Sequence, residues 1–524
     1  MKNKIIILGY LIGVLMLGSC KKILEQNPTD QLSSATFWKS KPDFDMALAS
    51  SYNTLQDYHL SSGIQDLEGL SDNGLDLFSY GNEETINQDI TVSSHATDFW
   101  YYDGYRRLAR YNIFLKELAG YNGSDMSSSE KLNYEAQVRL LRAWEYYRLY
   151  TFYGSVPLLT EPLTLATQNV PKAPDSTIFN QIISDCDFAA ANLPDVTFWA
   201  SQGHFVKAAA ELLEARAYLY VAYDAAGNAK PDVMNKAVSL TSAIINSNLF
   251  NLGNYYRGLF AHSLGQQEGN PEYIFAVNFL APGNSKLGQY GFNVTTMQFY
   301  WNSVHALPSL LDTYEFADGT PYNPADPRVN KDYLYINRDP RMTQTVVKDS
   351  VHWEDGTTEP ISTGNSSGLP YIYWKVCDQG EVKQNGGTTN QKQNTQNTAF
   401  IPLMRYAELL LSHAEAVNEV SGPTTEVYND INTIRARVKM PPLPTGLNKD
   451  QMRDRIRNER RVELAFEGFR YLDLKRWKIA PQVLNGLNDG IVTRRFEAPK
   501  NYLWPLPEGE LLINTALKQN PDYQ

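Results

Sequence analysis

Glu459, Glu463 and Glu467 recur at four-residue intervals in a stretch that also carries Arg460, Arg461 and Arg470. Two carboxylates are what a glycosidase needs, but its acid and base must face each other across a cleft, about 5–10 Å apart. Carboxylates at i and i+4 on one helix point the same way. With arginines so close in sequence, the block reads as a structural ion-pair network pinning the last helices. Other chemistries have less support. His59, His95, His204, His262, His305, His352 and His413 form no HExxH or paired metal spacing. The chain has no GxSxG elbow, no GxxxxGKS/T loop and no GxGxxG fingerprint. Asp312, Asp318 and Asp326 lie in a Gly/Pro-rich stretch without EF-hand order. No enzyme, metal centre or cofactor is expected.

A protein that holds a sugar without reacting stacks an aromatic ring on the apolar face of a pyranose. Asp, Asn, Arg or Gln then bonds the hydroxyls. Such platforms belong on loops, because aromatics on helical stripes are usually core. Two stretches qualify: Thr97–Tyr102, with Leu70–Gly74 upstream, and Met297–Asn302. Asp72, Asn73 and Trp301 lead as ligand contacts, followed by Trp100, Tyr101 and Tyr300. Tyr290 and Trp374 rank below them, named for their turn-rich surroundings. Trp477 ends an apolar helical stripe and reads as core, and Gly468 as a close approach or a break before Phe469.

The elements that must position these residues follow from periodicity. From about 41 to 250 helical stripes dominate: Ala136, Leu140, Ala143, Tyr147 and Tyr150 in one stretch, and Ala208, Leu212, Ala215, Leu219 and Ala222 in another. Alternating small and large residues let helices approach closely, as in tetratricopeptide-like hairpins. From about 251 to 402 the stripes fade into a Gly-, Pro-, Asn- and aromatic-rich stretch of loops and short extended pieces, with a Gln/Asn-rich surface loop at Gly380–Thr398. Helices return over 403–478, at Met404–Val420, Val427–Val438 and Lys449–Trp477, and the tail Tyr502–Pro507 packs back extended. The expected fold is mostly α: a tetratricopeptide-like helical hairpin scaffold interrupted by a long irregular loop and short-strand insertion, which a rigid scaffold can present.

Composition sets the outer bounds. The 524 residues carry 47 Lys+Arg against 58 Asp+Glu, a formal charge of −11. Without a basic block that balance argues against nucleic acid, whose phosphates need clustered cations. Three cysteines, Cys20, Cys186 and Cys377, are too scattered for a disulfide framework, and the last two read as core thiols. At the N-terminus Lys2 and Lys4 precede an uncharged run from Ile5 to Gly18, too short to span a bilayer and suited to a signal-peptide core. It ends Leu17-Gly18-Ser19-Cys20, similar to a bacterial lipobox. Residues 1–19 are therefore expected to be a lipoprotein signal peptide, 20–40 a tether lipidated at Cys20, and 41–524 a single body, anchored rather than spanning.

One segment is recognisable as a whole. Arg457-Asn458-Glu459-Arg460-Arg461-Val462-Glu463-Leu464-Ala465-Phe466-Glu467-Gly468-Phe469-Arg470-Tyr471, running on to Trp477, resembles the signature of the SusD/RagB family. Leu141–Leu149 with Tyr153–Leu158, Asp339-Pro340-Arg341, Arg405-Tyr406-Ala407-Glu408, Ile434–Arg437 and Leu517–Pro521 are similar to its other blocks, in order over nearly the whole chain. The resemblance implies a non-enzymatic surface glycan-binding lipoprotein. It would capture oligosaccharide for a SusC-like TonB-dependent outer-membrane transporter, held in the outer membrane by its lipid and facing the cell exterior. Two alternatives stay open: the same scaffold capturing peptides, and a tetratricopeptide-like module binding its partner protein alone. The acidic run that often follows the lipidated cysteine in exported members is replaced here by Lys21-Lys22-Ile23-Leu24-Glu25.

Overall fold

Local signals start and stop the helices. Ser127 Oγ accepts the Glu130 N–H at 3.3 Å while the Glu130 carboxylate accepts the Ser127 N–H at 2.9 Å, a reciprocal cap that opens a 26-residue helix. Gly154, at φ +67°, closes it. The computed structural model describes residues 37–56, 64–76, 90–279, 304–352, 356–360, 368–377, 400–488 and 493–523.

The first half holds α1 (Lys41–Asn53), α2 (Ile64–Gly69), β1 (Gly74–Asp76), α3 (His95–Gly120), α4 (Ser128–Tyr153), α5 (Asp175–Asn192), α6 (Lys207–Val221) and α7 (Pro231–Asn246). Short pieces follow: β2 (Tyr273–Asn278), β3 (Val304–Ala306), α8 (Pro308–Leu311), α9 (Pro340–Thr345), β4 (Val346–Val347), β5 (Ser350–His352), β6 (Thr358–Pro360), β7 (Ile372–Tyr373) and β8 (Phe400–Arg405). The last part holds α10 (Tyr406–Ser421), α11 (Thr425–Arg437), α12 (Lys449–Glu463), α13 (Arg470–Arg476), α14 (Ala480–Leu484) and α15 (Glu508–Ile513).

From α3 to α7 each helix packs on the next, and the stack continues from α7 onto α10, which in turn packs on α11 and α12. The fold is thus mostly α, with the hairpin scaffold running straight past the insertion. The stripe Ala208, Leu212, Ala215 and Leu219 is buried, and its alanines let α5 and α7 close on α6. The insertion is zipped shut at its base, where β2 and β8 pair antiparallel from Tyr273↔Arg405 to Asn278↔Phe400. Within it lies a four-stranded sheet of order β1-β3-β7-β4, so a strand from before the scaffold helices is welded into the insertion. Cys186 and Cys377 are buried free thiols, as expected. The tail also packs back: Trp504 N donates to Phe152 O at 2.7 Å, and the Trp504 ring lies 4.6 Å from that of Phe152.

Two elements differ from expectation. Met404 belongs to β8, not to the helix that follows, because Phe400–Met404 is a short apolar run that suits strand and helix equally. The stretch Thr97–Tyr102 is not a loop but part of α3. Lys449–Trp477 is two helices, with the break that is one of the readings of Gly468: Phe466 at φ +61° and Gly468 at φ +81° leave the right-handed region between them. Phe466 is held there by stacking on Tyr373, with centroids 4.3 Å apart. Gly468→Ala is accordingly expected to cost about 1–2 kcal/mol in urea unfolding; an unchanged midpoint would mean this turn tolerates a side chain.

Candidate functional site

The Asp72–Asn73 turn between α2 and β1 is clamped from three directions. Arg470 bonds the Asp72 carboxylate at 2.8 and 3.0 Å, and Arg461 reaches it at 2.9 Å. Arg461 Nε also donates to Asn73 Oδ1 at 2.8 Å, while Asn73 Nδ2 donates to the Glu68 carboxylate at 2.7 Å. Arg494 donates to Ser71 O, and to Gly74 O at 2.7 Å. Burial by itself would raise the Asp72 carboxyl, but Arg461 and Arg470 outweigh it and hold the group at about 2. Burial raises Glu68 to about 7, although Asn73 and the Gly468 N–H donate to it. The expectation that Asp72 and Asn73 meet a ligand is corrected here: they are 3% and 1% exposed and their side chains bond protein partners. Their role is to position β1 and, through it, the sheet.

The signature glutamates form a network, with partners that the sequence did not suggest. Arg341 binds Asp339, Glu459 and Glu463 at 2.7, 2.6 and 3.0 Å. Arg405 binds Glu272, Glu463 and Glu467 at 2.8, 2.7 and 2.7 Å. Lys375 meets Glu467, Arg437 meets Glu272 and Glu463, and Arg435 and Arg455 meet Glu315, with Arg435 also on Glu459. The arginines nearby in sequence look elsewhere: Arg460 binds Asp473, and Arg461 and Arg470 bind Asp72. Six cations thus balance six carboxylates, joining β8, α9, α11, α12 and the 464–468 turn. Glu463 is held well below the ordinary carboxylate range because Arg437, Arg405 and Arg341 outweigh its burial. Burial lowers Lys375 to about 8.

The two neighbouring aromatics of α3 are sent to different places. Trp100, 7% exposed, lies 4.9 Å from Phe152 with the Arg148 guanidinium 4.4 Å over its ring. It lines a cavity of about 110 Å³ with Trp144, Tyr147, Arg216 and Phe469. Tyr101, 1% exposed, turns into a cleft of about 270 Å³ with Tyr102 and Tyr105. Neither offers the open loop platform expected of it, because both stand on a helix packed against the core. Trp374 is buried as well, donating to Thr343 O at 2.9 Å beneath the Arg257 guanidinium. Tyr290, Tyr300, Trp301 and Cys20 lie outside the described residues. The sheet nonetheless relates two of the expected regions: Asp76 pairs with Val304, so the strand leading from the Asp72–Asn73 turn lies beside the strand that begins three residues after Trp301. The residues that the sequence reading missed, Glu68 and Arg494, carried no local signal, since their partners are remote in the chain.

Known proteins agree with this architecture over its whole length. A family model described as the SusD family matches residues 271–523, and one described as "Starch-binding associating with outer membrane" matches residues 24–219. A SusD-like protein of Formosa agariphila is 27% identical, the alignment covering 100% of this chain and 99% of the relative. The starch-binding protein SusD of Bacteroides thetaiotaomicron is 22% identical over 84% of this chain and 82% of its own. Among solved structures, a SusD-like carbohydrate-binding protein of Bacteroides fragilis superposes with a TM-score of 0.75 at 26% identity, covering 92% of this chain and 100% of its own. A laminarin-binding SusD-like protein gives 0.71 at 24% identity, over 93% and 100%. No helix among the described residues is long and apolar enough to cross a membrane. With both halves matched in order and relatives aligned end to end, the chain belongs to the SusD/RagB family.

Proposed function

We propose that the protein is a glycan-binding lipoprotein of the outer membrane. Anchored through Cys20 and facing the cell exterior, it captures oligosaccharide and passes it, unreacted, to a SusC-like TonB-dependent transporter. The observation that supports this best is the β1–β3 pairing, which holds Val304, three residues after Trp301, beside the strand that leaves the clamped Asp72–Asn73 turn. Aromatic residues so near in sequence to an anchored strand suit stacking on a pyranose, since preorganised rings lose little entropy on binding. The relatives' named ligands, starch and laminarin, supply the chemical class. The signature carboxylates, each paired with arginine or lysine, favour binding over hydrolysis.

Isothermal titration against starch- and laminarin-derived oligosaccharides tests the reading. Trp301→Ala is expected to weaken binding about tenfold, the worth of one stacked ring, with no change in thermal midpoint. Unaltered affinity in that variant would remove Trp301 from the site. A panel that binds nowhere, with peptide found by intact-mass analysis of the purified protein, would replace the sugar by a peptide.

A further inference from the structure

The tyrosine cleft has a chemistry of its own. Glu510 of α15 lies half-buried against Tyr101, Tyr102 and Tyr105. Its carboxylate makes no hydrogen bond or ion pair with any described residue, and no cation offsets the burial that raises it above the ordinary value. The Tyr101 hydroxyl lies beside that of Tyr105, which donates to Pro157 O at 2.8 Å. At the mouth stands Glu161, with Ile113 and Leu163 exposed by 43% and 45%; elsewhere on α15, Leu512 and Ile513 are exposed by 75% and 71%. The cleft therefore joins an uncompensated carboxylate and electron-rich rings to an apolar rim. Of the three amides that line the cleft, Gln168 is exposed and the other two are committed within the protein. Asn112 donates to Leu159 O and accepts from Arg142, and Asn514 donates to Val170 O and accepts from the Ala516 N–H.

We propose that this cleft is a socket for a lysine or arginine side chain presented by a protein partner, its stem on Ile113 and Leu163 and its cationic head at Glu510 among the tyrosines. Long basic side chains are amphipathic in this order, an apolar stem ending in a charge. Aromatic faces beside a carboxylate attract such a head more strongly once it leaves water. The exposed leucine and isoleucine of α15 would then be covered by the partner's surface around the inserted residue.

The test uses the full chain and two probes, Nα-acetyl-lysine methylamide and Nα-acetyl-norleucine methylamide, which share a stem and differ in charge. Ligand-observed NMR titration should show saturable binding of the lysine probe, about tenfold tighter than the norleucine probe. Glu510→Gln, at a half-exposed position, should keep the wild-type thermal midpoint and abolish that preference, and Tyr102→Ala should weaken the lysine probe several-fold. Equal binding of the two probes, or a preference that survives Glu510→Gln, would overturn the socket. So would maltose or laminaribiose displacing the probe, or free cadaverine binding more tightly than the peptide-like probe, which would mark a small-amine site instead.

Discussion

Arg405→Met is expected to destabilise the protein by about 3–5 kcal/mol, read as a lower urea midpoint at constant slope. Arg405 is 1% exposed and its guanidinium bonds three carboxylates: Glu272 at 2.8 Å, Glu463 at 2.7 Å and Glu467 at 2.7 Å. Methionine would fill much of the volume, so the loss comes from charge, not from a cavity. Arg437, Arg341 and Lys375 remain beside the same glutamates, but with six cations matched to six carboxylates the variant leaves one buried negative charge in excess. The double variant Arg405→Met, Glu467→Met restores neutrality and should recover part of the loss, because removing both partners of a buried pair is far milder than removing one. If the double variant is as unstable as the sum of the singles, the network is not the coupled unit its distances describe. The same cluster ties β8 and α9 to α11 and α12, so the single variant should also loosen the insertion against the scaffold, measurable as faster amide exchange there.

Acid should unfold the protein in a defined window. Asp72 is held at about 2 against an ordinary 3.8, and Glu415, gripped by Arg476 and Arg460 despite its burial, at about 2 against 4.5. A carboxylate lowered in the folded state contributes stability that is present above its unfolded value. That stability is lost as pH falls through the folded value. The thermal midpoint is therefore expected to drop steeply between about pH 4.5 and 2, each group contributing roughly 2–3 kcal/mol. Asp72→Asn isolates one contribution. At pH 6 it should be roughly 2 kcal/mol less stable than the parent, and near pH 2, where folded Asp72 is about half protonated, most of that gap should have closed. An Asp72 carboxylate turned outward to a ligand would instead give equal stabilities at both pH values and a loss of binding. Two buried groups, Glu68 and Lys475, act nearer neutrality and with opposite signs. Glu68, raised to about 7, binds a proton when folded that it lacks when unfolded, so its contribution fades as pH rises from about 4.5 through 7. Lys475, lowered to about 7 by burial, opposes folding least above its unfolded value, so its penalty lessens toward pH 10.

Helical stripes in the chain announced the scaffold because amphipathic periodicity is local: the buried face of α6 can be counted from Ala208 to Leu219 without knowing what covers it. The ordered motif blocks identified the family, and the four-residue spacing of Glu459, Glu463 and Glu467 suggested the ion pairs that the structure shows. Spacing could not say with whom. Arg461 and Arg470 meet the Asp72 residue 389 and 398 positions away, and Arg405 meets Glu272 across 133. Nor could it separate Trp100 from Tyr101, adjacent in sequence yet turned into different cavities by the 100° step of one helical residue. An Asp-Asn turn and an aromatic cluster look alike whether they face a sugar or the core. The choice belongs to the tertiary fold, because burial and charge pairing depend on what the rest of the chain brings alongside.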